Sequence, residues 1–405
     1  MYRLIGPVGL VLFCCLPLAA QRQDVPFTFA GALERARQSA PAIVAARMRI
    51  DEARGRLLGA SLRFSSNPTV EVERGRRSAE TSSSTDYGVE IGQDIDLPSR
   101  RRARTDAARA AVQQEEQRAA EVERATLREV ATAFLRAVEA RERADSAASG
   151  KLLAEEAFRI AERRFAAGDV AQLDVNLART AVARAEAEVR TANAALTGQT
   201  TQLQVLLGIT EAVTVSGSLR DALTFAAADL MTRAADRADV RLLDAQIADA
   251  EADRRLAQAL RWPDVGIRAA YRSEEGDRII LGGIGLTLPL FNRGQEASAM
   301  AGARLGRLRA EREALARTIE AELRGALASY DALRAASAEY ERTILPLIEE
   351  NERLALESYE VGQIGLAELL LVRREALDAR RAFIDQLIET RLAEVELLAR
   401  AGVWK

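Results

Sequence analysis

Histidine is absent from this chain, and its two cysteines, Cys14 and Cys15, stand side by side near the start. Aromatic residues make up only 4% of the 405 positions, against 29% charged. If the first twenty residues are removed, zinc sites, disulfides, cysteine nucleophiles and histidine-based triads all go with them. No nucleophile–base pair, metal cluster or phosphate loop is present: "GGIGLTLP" (282–289) lacks the lysine and the helix-start context of a P-loop. The chain therefore reads as a non-enzyme that needs no cofactor. Neither charge sign dominates, with 57 Lys and Arg against 60 Asp and Glu interspersed throughout, so there is no nucleic-acid footprint. A thick globular core is also excluded, because Ala, Arg, Glu and Leu dominate in place of bulky apolar residues; that mix favours long exposed helices with narrow apolar seams.

The exception is the N-terminus. "MYRLIGPVGLVLFCCLPLAA" has one early Arg, an apolar stretch and small residues before Gln21, which is the layout of a secretory signal peptide cut after Ala20. A short membrane anchor is the competing reading. Lipidation at Cys14 fits badly, because the bulky Phe13 precedes it. No later run approaches the roughly 18 apolar residues of a membrane-spanning helix.

What is present is repetition. "FTFAGALERARQSAP" (27–41) answers to "LTFAAADLMTRAADR" (223–237), and "NPTVEVE" (67–73) to "WPDVGIRAAY" (262–271). "IDLPSRRRARTDAA" (95–108) matches "LTLPLFNRGQEASAM" (286–300), and "RRFAAGDVAQLDV" (163–175) matches "SYEVGQIGLAELL" (358–370). The four pairs keep one order and similar offsets, so a unit of roughly 190 residues is duplicated, as 21–210 and 211–405.

Each unit contains one stretch of period-two alternation. Tyr87, Val89, Ile91, Ile95 and Leu97 alternate with small or acidic residues, and their partner strand lies near 69–76, joined by the polar stretch 78–85. In the second unit Val265, Ile267, Ala269 and Tyr271 form one strand; after "SEEGD" (273–277), Ile280, Ile284, Leu286, Leu288 and Leu290 line the next. Strands of about ten residues suit a tilted bilayer crossing as well as a half-buried soluble hairpin. The remainder predicts helix, at about 30–62, 99–166, 170–207, 226–260, 295–360 and 365–400, with a soft point at 146–150 and a kink at Pro346. At 1.5 Å per residue each long helix spans roughly 100 Å, matched by two shorter ones end to end. The expected fold is mainly α, a long helical coiled-coil barrel with a β-barrel part of four strands per chain. Four strands cannot close a barrel in lipid without costly open edges, so a membrane location requires several copies.

Signal peptide, duplicated helix–hairpin–helix units, "NP" opening the first strand, "IDLPSRRRAR" and "LTLPLFNRG" closing the hairpins and the "YEVGQ" segment together resemble the TolC-type outer-membrane efflux channels. "NPTVEVE" with "IGQDIDLPSRRRARTDAA" looks most like the CzcC/CusC-like heavy-metal branch. The resemblance implies a homotrimer with a twelve-stranded barrel in the outer membrane and a helical tunnel through the periplasm. It also implies a periplasmic adaptor protein and an inner-membrane transporter as partners, exporting small molecules or metal ions. The alternative is a soluble periplasmic coiled-coil scaffold or adaptor, although the lipoyl-like or β-barrel domain of an adaptor is missing.

By the same resemblance Gly168 and Gly362 sit at the periplasmic, adaptor-contacting tips, and Asp174, Tyr359 and Glu368 belong to the gate just inside them. A latch arginine and a second acid of that constriction would fall at Ile364 and Leu371, where this sequence has neither. Glu71, Glu73, Glu90, Asp94 and Asp96 are expected on the polar face of the first hairpin, and Arg268 and Arg272 on that of the second. "SRRRAR" (99–104) is either a headgroup-contacting segment or an ordinary charged helix start, and Tyr87 and Trp404 are candidate interfacial aromatics.

Overall fold

A computed structural model describes residues 26–404 apart from 79–82, 223–229, 231–232 and 276. The signal-like segment with Cys14 and Cys15, and much of the repeat match at 223–237, lie outside the described residues. In chain order the elements are α1 (Phe29–Ser39), α2 (Pro41–Ser61), β1 (Thr69–Ser78), β2 (Ser83–Ile95), α3 (Pro98–Ala167) and α4 (Gln172–Leu207). Then come α5 (Ala238–Ala259), β3 (Asp264–Glu274), β4 (Asp277–Thr287), α6 (Gln295–Glu339), α7 (Leu345–Glu360) and α8 (Leu366–Arg400).

Helix α3 runs 70 residues without a break, about 105 Å at 1.5 Å per residue. Pro98 sits in its first turn, where a missing N–H costs nothing. The soft point at 146–150 stays helical: a Cβ on Gly150 would stand 3.1 Å from Leu377 Cδ2, so the glycine there admits α8 at close range. The expected kink at Pro346 takes a specific form. Tyr340–Ile344 is a π-helical turn, in which the Leu345 N–H reaches back to Tyr340 O, and it joins α6 to α7. One wide turn absorbs the carbonyl that Pro346 cannot bond.

The expected single helix at 30–62 is in fact two. Ala40 is extended (ψ 125°) because Pro41 follows it and its ring disfavours helical backbone at the preceding residue. The second unit breaks at the same place in the repeat. Its described helix starts only at Ala238, after a turn and an extended Arg237, so the expected span 226–260 is interrupted too. No proline marks that second break. Instead Arg237 is buried there, bonded to Asp239 Oδ2 at 2.6 Å and to Arg400 O at 3.4 Å.

The four strands form one antiparallel sheet in the order β1-β2-β3-β4. Its register puts Val70 opposite Ile91, Val72 opposite Val89, Val89 opposite Tyr271, and Ile267 opposite Ile284. With Ile95, Ile280 and Leu286 these make one largely apolar face, interrupted by Gln93 opposite Ile267, and its large apolar side chains are exposed. The other face carries Glu71 opposite Glu90, Glu73 opposite Gly88, and Gly88 opposite Arg272. Among the described residues the outer edges of β1 and β4 pair with nothing.

The principal core lies away from the sheet, where α1, the middle of α3, the end of α4, residues 213–219 and the end of α8 meet. Trp404 belongs to it, buried with its ring centroid 6.1 Å from that of Phe29. That corrects the interfacial role expected for Trp404. Tyr87 is exposed on β2, with the Arg74 guanidinium 5.9 Å from its ring centroid.

Candidate functional site

The two glycine turns are built alike. Gly168 ends α3 at φ +83° and Gly362 follows the end of α7 at φ +79°, a backbone region that residues with a Cβ rarely enter. At the first, the Asp169 N–H donates to Arg164 O (2.9 Å) and the Gly168 N–H to Phe165 O (2.9 Å). At the second, the Gln363 N–H donates to Ser358 O (2.8 Å) and the Gly362 N–H to Tyr359 O (3.1 Å). Both are Schellman turns, which satisfy the last carbonyls of a helix while reversing the chain.

The acid six residues after each glycine has a local task that the sequence did not disclose. Asp174 Oδ2 accepts from the N–H of Ala171 (3.3 Å), and Glu368 Oε2 from the N–H of Gly365 (3.1 Å). Each carboxylate sits in the first turn of its helix and holds the capping N–H, where the helix dipole favours a negative charge. Glu368 is exposed and Asp174 half-buried.

Tyr359 is wholly buried in a small tip core with Ala157, Ile160, Ala161, Ala178, Ala355, Leu366 and Leu369. Burial pushes its phenol up from the usual value; the nearby Arg164 guanidinium opposes this and the Asp174 carboxylate adds to it. The hydroxyl has no hydrogen-bond partner of good geometry among the described residues. Ile364, standing where the resemblance puts a latch arginine, packs against this same tip core. Leu371, where a second acid was expected, is exposed. The residue that sequence reasoning missed is Arg164. Its Nη1 donates to Tyr359 O at 3.0 Å and its guanidinium lies 5.0 Å from the ring centroid. Nothing in the string "RRF" separates it from Arg163, and the signal exists only in three dimensions.

The other end of the helices is fastened by arginines from the segment 99–104. Arg104 binds Asp96 (2.7 Å) and the carbonyls of Ala60 and Leu62 (3.0 Å each). Arg100 pairs with Asp264 and donates to Trp262 O at 3.0 Å. Two of the four arginines therefore join sheet to helices rather than reach for headgroups, while Arg101 and Arg102 are exposed. Asp96 is correspondingly a junction residue and not part of the sheet's polar face. Burial alone would raise its pKa, but hydrogen bonds from Ser65 and Arg104 hold it below the ordinary carboxylate value. On the sheet itself Arg268 reaches Glu90 at 3.8 Å, linking the two hairpins.

Residues 32–209 match the family described as outer membrane efflux protein. The cobalt-zinc-cadmium resistance protein CzcC of Cupriavidus metallidurans is 27% identical over 428 aligned positions, spanning 96% of this chain and 97% of that one. Among solved structures, a membrane protein from Pseudomonas aeruginosa superposes with a TM-score of 0.77 at 23% identity, covering 92% of this chain and 93% of that one. The Campylobacter jejuni CmeC outer membrane channel does so with 0.75 at 16% identity, over 92% and 85%. The open-state Neisseria gonorrhoeae MtrE outer membrane channel gives 0.73 at 17% identity, over 92% and 88%. At those identities the structures speak for the fold alone, a helical barrel with membrane strands; the likeness to the outer membrane efflux protein family covers residues 32–209, and the likeness to CzcC runs over nearly the full length of both chains.

Proposed function

We propose that this chain is one protomer of a passive outer-membrane exit duct, closed by three copies pooling four strands each. The observation that carries it is the sheet: strands of 10 to 13 residues, one face largely apolar and exposed, and two edges unpaired among the described residues. In water that face would be an aggregation hazard, and in lipid each unpaired edge group costs several kcal/mol. Both problems vanish when the apolar face meets acyl chains and β4 of one copy pairs with β1 of the next. The helices then hang into the periplasm by roughly 100 Å.

In this reading the halves 21–210 and 211–405 contribute equivalent walls, and the turns at Gly168 and Gly362 form six tips that a periplasmic adaptor meets below, with an inner-membrane transporter beyond it. Asp174 and Glu368 line the approach to the opening, where rings of carboxylates concentrate negative potential and favour cations, while Tyr359, buried beneath Arg164, braces the turn beside it. The metal-resistance name of the Cupriavidus relative makes divalent transition metals the first cargo to test. Selection of cargo falls to the pump, since the duct has no histidine and its only cysteines are Cys14 and Cys15.

Fractionation combined with unboiled gel migration tests the reading. Recovery from the outer membrane as a heat-sensitive oligomer is expected, and a soluble periplasmic monomer would reject it.

A further inference from the structure

We propose that the joint between copies carries an ion pair: Arg268 of one chain meets Glu73 of the next over the bare backbone of Gly283, in one register of β4 on β1. This deepens the duct reading and rests on it, adding which residues make the joint and how the strands align.

The chain already contains a junction of the same kind, where the end of β2 pairs with the start of β3. There Ile95, three residues before Pro98, stands opposite Val265, two residues after Pro263. Their repeat counterparts are Leu286, three residues before Pro289, and Val70, two residues after Pro68. The duplication thus sets Leu286 opposite Val70 of the next copy. That register also brings Thr287 and Thr69, the helix-side ends of β4 and β1, level with each other. Ile284 then faces Val72 on the apolar side. On the polar side Gly285 faces Glu71 and Gly283 faces Glu73, because residues two apart share a face.

Charge and space fit this register. Glu71 stands opposite Glu90, and neither Glu71 nor Glu73 forms an ion pair among the described residues. Carboxylates so placed call for a cation from beyond the edge. From 279 to 287 the polar-side positions of β4 are Ile279, Leu281, Gly283, Gly285 and Thr287, none of them charged. The cation lies one strand further in. Arg268 stands opposite Gly283, and its Nε would be 3.9 Å from a Cβ on Gly285, so it leans over β4. A Cβ on Gly283 would meet nothing within 4 Å, which leaves the way to the edge open.

The same arrangement exists inside the chain. Over Gly88, Glu73 Oε2 from β1 and Arg272 Cγ from β3 stand 3.5 and 3.6 Å from the position of a Cβ. Strands separated by one other are roughly 10 Å apart, a gap that a leaning glutamate and arginine span together when the middle residue is glycine. Arg268, Gly283 and Glu73 of the next copy repeat that triplet across the joint. Glu73 is then flanked on both sides by a glycine and, beyond it, an arginine.

Cysteine pairs read the register in the membrane. In a Cys14→Ser, Cys15→Ser background, Gly283→Cys with Glu73→Cys should oxidise to a ladder of covalent dimer and trimer on boiled gels. Gly283→Cys with Gly75→Cys should give at least tenfold less, and a stronger product from that pair overturns the register. For the ion pair, Glu73→Gln and Arg268→Gln should each speed heat dissociation of the purified oligomer by roughly tenfold, because the loss falls on three joints at once. The double variant should fall well short of the product of the two single effects. Effects that multiply fully, or no effect of either change, overturn the pair. Absence of any outer-membrane oligomer refutes the duct reading and the joint with it. An oligomer that forms but cross-links only in another register refutes the joint alone.

Discussion

The two glycine turns share a backbone and differ in what their aromatic side chain meets. Each has a glycine in the left-handed region, the same pair of closing hydrogen bonds and an acid capping the next helix. Yet Phe165 is exposed at the first, while its counterpart Tyr359 is sealed at the second under Arg164. Local backbone chemistry survives duplication because it needs only a few residues at fixed spacing. Packing diverges because each copy faces a different neighbour.

Truncating the aromatics breaks that comparison most sharply. Tyr359→Ala should cost about 3–5 kcal/mol, the range for emptying a buried aromatic site, and Phe165→Ala under about 1 kcal/mol, as measured by denaturant unfolding. Similar costs for both would mean that the turns are equivalent after all.

Glycine replacement separates turn from crowding. Gly168→Ala meets nothing within 4 Å and should lose about 1–2 kcal/mol from left-handed strain alone. Gly208→Ala, also left-handed, would put its Cβ 2.6 Å from Ser39 O, and should lose about 1–3 kcal/mol more. Thermal melts of the two variants check the order.

The hairpin exits extend the contrast to the other end of the molecule. The first enters α3 directly at Pro98 and is tied by Arg104 to Asp96, whereas the second passes through Gly294, at φ +72°, before α6 begins. Because the folded pKa of Asp96 is depressed, its contribution is present above the ordinary carboxylate pKa near 4 and is lost as pH falls through the folded value. Asp96→Asn should therefore flatten the acid limb of the stability profile below about pH 4 and lower stability at neutral pH. An unchanged acid limb would show that the pair contributes nothing.

The smallest stability effects concern the proposed gate. Asp174→Ala and Glu368→Ala should each remove about 0.5–1 kcal/mol of capping, equally in both turns. Tyr359→Phe should be nearly neutral in stability, since its hydroxyl has no partner within the described chain. Combined with Asp174→Ala it is expected to raise single-channel conductance in planar bilayers. Unchanged conductance and ion selectivity would remove both residues from the gate.

Much of this was legible in the residues. Period-two alternation located all four strands, and the long runs of Ala, Arg, Glu and Leu without proline located α3. The differences are of two kinds. Pro41 breaks the expected helix 30–62 by local sterics, and the break before Ala238 has no proline to announce it. Parity or composition alone misplaces Asp96, Arg100, Arg104 and Trp404: Arg104 ties Asp96 to the carbonyls of Ala60 and Leu62, Arg100 pairs with Asp264, and Trp404 packs on Phe29. Asp174 and Glu368 looked like functional acids because they recur; their shared capping bond gives recurrence a local cause as well.

The sequence by itself determined the elements that depend on near neighbours: strand alternation, uninterrupted helix, glycine reversal and the duplication that doubles them. These follow from backbone sterics and spacing, which a linear string contains. Only the tertiary structure decided which arginine clasps the second turn, which acid ties sheet to helix, and that one aromatic of a matched pair is buried. Those outcomes depend on what lies across the fold, up to two hundred residues away in the chain, and a string of residues does not carry that distance.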